Sequence, residues 1–206
     1  MDLSSYNGLK TTISSYLART DVEDKSDLFI QLAEVRLRRD LRLRQMLSIA
    51  TINTTANVST VNLPSDFLMM RDLHLNTNPV MSLKYDVPNV FYRNSSSTVS
   101  GMPFNYTTLS STVQLAPIPD SSYELKMLYY AQPPFLSDTN TTNTFLSTCP
   151  DLLLYGALAE AYLWLMDDTR LATWAALYDK GLQSLTVSDD QGEYAGSPMV
   201  ITVANR

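Results

Sequence analysis

Apolar positions follow three different rhythms along this chain. In residues 4–19, Tyr6, Leu9, Ile13, Tyr16 and Leu17 recur at spacings of three and four, which predicts an amphipathic helix. Thr20-Asp21 breaks the pattern, and Asp21 is a candidate N-cap for a second helix, with Glu23 and Asp24 near its positive end. That helix is expected to reach Leu43 or Met46, with Phe29, Ala33, Leu37 and Leu41 as its buried stripe, flanked by Ile30 and Leu32. From Ile49 to Tyr130 the apolar residues alternate among Ser, Thr and Asn, and Pro or Gly interrupts them regularly. Period two with such punctuation predicts strands near 48–54, 58–63, 68–75, 80–85, 104–108, 112–116 and 123–131. Arg93–Gly101 reads as an exposed loop, and the two prolines of Leu115–Asp120 make it a turn.

Helical spacing returns after Asn143. Helices are expected over about 150–166 and 168–186, with Pro150 in a first-turn position, Thr148 ahead of it and the Asp167-Asp168 link between the pair. The stripe Tyr155, Leu158, Tyr162 and Leu165 is expected to meet Trp174 and Tyr178 across that hairpin. After Val187 a polar stretch leads to an apolar, strand-like block: Met199, Val200, Ile201, Thr202 and Val203. Such a block seldom folds alone, and its natural use is to add a strand to a sheet on another subunit or partner. The fold class expected is α+β: an antiparallel helical bundle of about four helices drawn from both chain ends, an inserted β-rich domain and an extended C-terminal arm. The boundaries expected are 1–47 and 143–187 for the bundle, 48–142 for the insertion and 188–206 for the arm.

Composition narrows the function classes. With 45% hydrophobic residues the chain can build a sizeable core. There is no apolar run of about 18 residues, so no membrane-spanning helix is expected. The first residues lack a basic-then-apolar leader pattern, which with a single cysteine points to synthesis in a cytoplasm. The Asn-X-Ser/Thr sequons at Asn53, Asn57, Asn94, Asn105 and Asn140 fit chance in so Asn- and Thr-rich a chain. A net charge of −6 argues against a protein that grips nucleic acid, though DNA can slide past such a wall.

Candidate chemistry is thin. His74, the one histidine, sits in an alternating strand opposite Leu73 and Leu75, with no nucleophile-elbow pattern elsewhere to build a triad. Cys149 precedes a helix whose positive end favours a thiolate, but a structural thiol is the stronger reading. Asp167-Asp168 and Asp189-Asp190 are sequence neighbours whose side chains point apart, poor geometry for an acid/base pair. No phosphate-cradling glycine loop occurs. No catalytic residue, cofactor or metal is expected, and the chain reads as an interaction protein and not an enzyme.

The densest feature is Val35–Arg44, with Arg36, Arg38, Arg39, Arg42 and Arg44. On a continuous helix Arg38, Arg39 and Arg42 fall opposite the Ala33/Leu37 stripe, while Arg36, Asp40 and Arg44 line up at four-residue spacing. A solvated face, a DNA contact and a contact with a neighbouring subunit or partner all remain open. The last leads, because the planar guanidinium suits carboxylates on a neighbouring subunit.

Several blocks in order resemble the head-to-tail adaptor proteins of tailed bacteriophages. They are Phe29-Ile-Gln-Leu-Ala-Glu34 with the arginine run, then Leu63-Pro-Ser-Asp-Phe-Leu68 with Arg71. Tyr129-Tyr130, Pro133-Pro134 and Leu136 follow, then Asn143, Leu146, Pro150-Asp151-Leu152, Tyr155-Gly-Ala-Leu-Ala-Glu-Ala-Tyr162 and Trp174. The resemblance covers most of residues 5–185 and implies a non-enzymatic virion protein of the neck, between head and tail. It further implies a dodecameric ring that docks on the portal protein, extends the DNA channel, and offers a platform to a tail nozzle or other tail protein. Genomic DNA would pass through without sequence-specific binding, and no membrane is involved. The alternative is a carbohydrate- or cell-surface-binding β module, for which Phe91, Tyr92 and Tyr106 would have to form an exposed aromatic platform.

Overall fold

The computed structural model describes residues 3–19, 23–94 and 99–195. In chain order these form α1 (Tyr6–Leu17), α2 (Ser26–Asp40), β1 (Leu47–Asn53), β2 (Thr60–Asn62), β3 (Phe67–Leu75), β4 (Met81–Ser82) and β5 (Lys84–Tyr85). They continue as α3 (Pro88–Asn94), β6 (Asn105–Leu109), β7 (Thr112–Ala116), β8 (Glu124–Ala131), α4 (Thr144–Thr148), α5 (Pro150–Trp164) and α6 (Asp168–Tyr194). The class is α+β. The described residues up to Gln45 and those from Pro133 onward make one compact unit, and Met46–Gln132 makes the other. The Met199–Val203 block lies outside the described residues.

The helical unit is organised on α5, which packs against α1, α2, α4 and α6. Its sequence explains why: Leu152, Leu153, Leu154, Ala157, Leu158, Ala159, Ala161 and Tyr162 are all buried, so the helix is apolar nearly all round. Ala33 on α2 approaches so closely that a methyl group added at Gly156 would lie 3.0 Å from the Ala33 Cβ. Asn143 caps α4 by accepting from the Leu146 N–H at 2.9 Å, and Asp167 caps α6 by accepting from the Arg170 N–H at 3.1 Å. The expected aromatic meeting is present: Tyr155 and Trp174 ring centres are 5.9 Å apart, Tyr16 stacks edge-on to Trp174 at 5.5 Å, and Tyr178 is buried.

The C-terminal limits of two helices differ from the sequence reading. α2 stops at Asp40, because Leu41 turns extended (φ −111°, ψ 140°) and the following path buries both Leu41 and Leu43. A helix cannot bury residues two apart on one face, whereas an extended segment does. α6 runs seven residues past Val187, to Tyr194, with Asp189 tied to Arg44 on the way. The extended arm expected from residue 188 is therefore helical in its first part. α3 and α4 are additional helices of only 7 and 5 residues. Leu32, expected to flank the buried stripe, faces outward instead.

In the β unit, one sheet has the order β1-β8-β3-β4 and the other β2-β7-β6-β5, antiparallel throughout except for β5 beside β6. Alternation sends Leu73, Leu75, Leu125, Met127 and Tyr129 from the first sheet into one core with Val61, Tyr106, Val113 and Leu115 from the second. Ser110, at φ 51°, makes the tight β6–β7 turn, and β7 ends one residue before Pro117.

Candidate assembly surfaces

The arginine run does not form one face. Arg36 pairs with Glu160 at 3.0 Å on α5 and lies 5.4 Å from the Tyr178 ring centre. The Tyr178 hydroxyl donates to Asp40 at 3.1 Å, and burial, then the Asp40 charge, raises its pKa. Arg38 lies 3.4 Å above the Phe135 ring centre and donates to the Pro133 carbonyl, while its buried Nε has no hydrogen-bond partner among the described residues. Burial lowers the Arg38 pKa, opposed by the Glu34 charge. Arg42 donates to the Arg38 and Leu41 carbonyls at 2.8 and 2.6 Å, closing the end of α2. Arg44 holds Asp189 through Nε at 3.1 Å and through its backbone N–H. Arg39 alone of the five is exposed with no hydrogen bond or ion pair among the described residues.

Beside Arg38, Glu34 is wholly buried, and its carboxylate accepts from the Leu136 N–H at 3.2 Å and from the Asn143 side chain. Burial raises its pKa, with those two donors and Arg38 opposing. Glu34 thus pins the segment that leads back into the helical unit. Residues quoted above for the family resemblance meet here: Glu34, Pro133, Leu136 and Asn143. A second such meeting occurs in the β unit, where the Tyr129 hydroxyl donates to Asp66 at 3.0 Å, Phe67 stacks on Tyr129 at 5.8 Å and Arg71 donates to the Tyr130 hydroxyl at 3.2 Å. Both clusters hold chain segments in place.

The outer side of α2 carries what sequence reasoning missed. Leu28, Leu32 and Val35 are 48%, 41% and 40% exposed, and with Arg39 they recur at spacings of four, three and four. That periodicity places them in one line along the helix, opposite a core already satisfied by Phe29, Ile30, Ala33 and Leu37. The signal was present in the sequence as apolar residues on more than one side of a helix. A further exposed apolar group, Leu163, Trp164 and Met166, marks the end of α5. Contiguous exposed apolar side chains on a folded chain mark contact with something else.

His74 and Cys149 lie in different settings. His74 Nδ1 lies 3.1 Å from Asp72 Oδ2 on the outer face of β3, while Leu73 and Leu75 fill the core. Burial, with the nearby Asp151 charge, pushes the Cys149 thiol up to about 12, the reverse of an activated thiolate. Among the described residues no group of three or more His, Cys, Asp and Glu side chains could hold a metal ion. No helix described is long and apolar enough to cross a membrane. The aromatic platform of the sugar-binding alternative does not form: Phe91 and Tyr106 are buried, leaving Tyr92 exposed and bonded to Gln114 at 2.5 Å. An apolar pocket of about 260 Å³ lies nearby, lined by Phe91, Asn94, Val99, Phe104, Asn105, Ala116 and Pro117.

The family model described as SU10 adaptor protein matches residues 4–202 of the chain. No curated protein matches it.

Proposed function

Because this chain belongs to the SU10 adaptor protein family, we propose that it works as a head-to-tail adaptor, a structural subunit in the neck of a tailed-phage virion. The match over residues 4–202 carries the reading, since it takes in both the helical and the β-rich unit and not one module alone. In this reading the subunit docks on the portal protein as a ring of twelve copies, lengthens the DNA channel and presents a platform to a tail nozzle or other tail protein. The helices drawn from both chain ends act as a bundle that forms the body of the subunit, with the β-rich unit inserted in it.

Lateral contact between copies falls to the outer line of α2, where Leu28, Leu32 and Val35 supply apolar area and Arg39 a cation with no ion pair among the described residues. Burying one such side chain contributes about 1.5–3 kcal/mol, and a closed ring repeats that gain at every interface. Of the arginine run, Arg39 is the group free to reach a neighbouring subunit or the portal; Arg36, Arg38, Arg42 and Arg44 support that contact by holding α2 in place. The net charge of −6 suits a channel wall that does not hold the passing genome. Met199–Val203 adds as a strand to a neighbouring sheet.

Electron microscopy of the purified portal mixed with this chain tests the proposal. The expected image is a second ring stacked coaxially on the portal, lost or incomplete with Arg39→Glu. A wild-type mixture showing bare portals would contradict the adaptor role.

A further inference from the structure

β1 is the longest edge strand of the sheets described. It lies at the end of the order β1-β8-β3-β4 and spans seven residues, while the other edge strands, β2, β4 and β5, have 3, 2 and 2. Its outward groups follow from register. Asn53 faces Glu124, and the next pair is bonded, the Thr54 N–H donating to the Tyr123 carbonyl at 2.9 Å. Antiparallel alternation then turns Ser48, Ala50 and Ile52 toward β8 and points the N–H and C=O of Leu47, Ile49, Thr51 and Asn53 away from the sheet. No backbone partner for these outward groups occurs among the described residues.

Edges of this kind are ordinarily blunted by Lys, Pro, a bulge or shortness. Leu47-Ser-Ile-Ala-Thr-Ile-Asn53 has no charge, no proline and no register shift against β8, and Ile49 is 70% exposed. An undefended row of donors and acceptors is a template for one more strand. The chain itself contains the complement. After Ala195, the last described residue, comes the uncharged, β-branched block Met199-Val-Ile-Thr-Val203, short enough to lie within the seven-residue edge.

We propose that the free edge of β1 receives Met199–Val203 of a second copy of this chain as an added fifth strand. The edge and the inserted strand are different patches, so the contact is heterologous: each copy gives one strand and accepts one, and repetition closes a ring. The inference rests on the ring reading above and names the site where its tail is held.

The test uses two differently tagged full-length versions, one carrying Thr51→Cys and the other Val200→Cys, Ile201→Cys or Thr202→Cys in turn, mixed, assembled on the portal and mildly oxidised. The native Cys149 is buried and stays out of the reaction. At least one mixed pair should cross-link between the two tags at ten times or more the yield of Thr51→Cys with Ser184→Cys, a position on the exposed side of α6. Thr51→Pro removes one outward N–H at a place where an edge strand tolerates proline. Combined with Ile49→Cys on the same chain it should abolish the cross-link while leaving the melting temperature within a few degrees. Ile49→Lys, which puts a charge on the exposed face, should do the same without touching the backbone.

The inference is overturned if no mixed pair exceeds the control in assembled rings, or if the two blocking variants leave the yield unchanged. Cross-links dominated by two Thr51→Cys chains overturn it as well. Wild-type rings on the portal without cross-links would sink this inference alone. A wild-type chain that never joins the portal would sink the adaptor reading, and the same cross-linking on the concentrated chain would then decide strand addition by itself.

Discussion

Phe29, Ala33 and Leu37 on the inner side of α2 are buried, with Ala33 in close approach to Gly156 of α5, whereas Leu28, Leu32 and Val35 on its outer side stand in solvent. The two sets are chemically alike and differ only in which direction of the helix they occupy. What separates core from contact surface is thus the neighbour each line meets. The inner line has α5, whose Gly156 lets two backbones come close, and the outer line is left 40–48% exposed. Charged residues divide in the same way: Glu34 and Arg38 are drawn inward and bonded to the 133–143 segment, while Arg39, one residue on, has no ion pair or hydrogen bond among the described residues.

The comparison can be broken most severely from the inside. Phe29→Ala should lower stability by about 3–5 kcal/mol, because a fully buried ring is removed and α5 cannot close the gap. A urea midpoint shifted by less than a third of that would mean the inner line is not the core. Gly156→Val is next: the added side chain meets the Ala33 Cβ, and overpacking of this kind costs about 1–3 kcal/mol. A further Ala33→Gly change should restore part of the loss if the two sites share one contact.

Glu34→Gln sharpens the comparison through pH. Burial raises the Glu34 pKa above its unfolded value, so between the two values the folded chain binds more protons and its stability falls as pH rises. Glutamine keeps an oxygen for Leu136 and Asn143 and has no charge to bury. The stability of the variant relative to wild type should therefore increase from acid toward neutral pH, read from urea midpoints along that range. A relative stability that declines over that range would show the carboxylate to be net favoured as an ion.

The smallest effect on stability belongs to the outer line. Leu28→Ser, Leu32→Ser and Val35→Ser should each change folding free energy by no more than about 0.5 kcal/mol, as surface changes do. Together they should remove ring formation on the portal. If rings persist, the outer line is not the lateral contact.

Much of the fold was legible from spacing. The strands over 112–116 and 123–131 appear at Thr112–Ala116 and Glu124–Ala131, because one buried face gives a clean period of two. The end of α2 was not legible: the arginine run has good helix formers and no stop signal, and only the burial of both Leu41 and Leu43 ends it. α3 and α4 are too short to show a period. The run's individual roles were hidden for a related reason. Arg36, Arg38 and Arg44 are placed by Glu160, Phe135 and Asp189, partners about a hundred or more residues away that no local pattern reveals. The outer line of α2 was readable in principle, since Leu28, Leu32 and Val35 sit off the buried stripe at helical spacing.

Light scattering of the chain alone, of the portal alone and of their mixture tests the central claim most directly. The account predicts a mixed species heavier than the portal by a whole number of subunits, equal to the number in the portal ring, and absent when the outer line of α2 is replaced by serine. A mixture that resolves into the two separate components would contradict it.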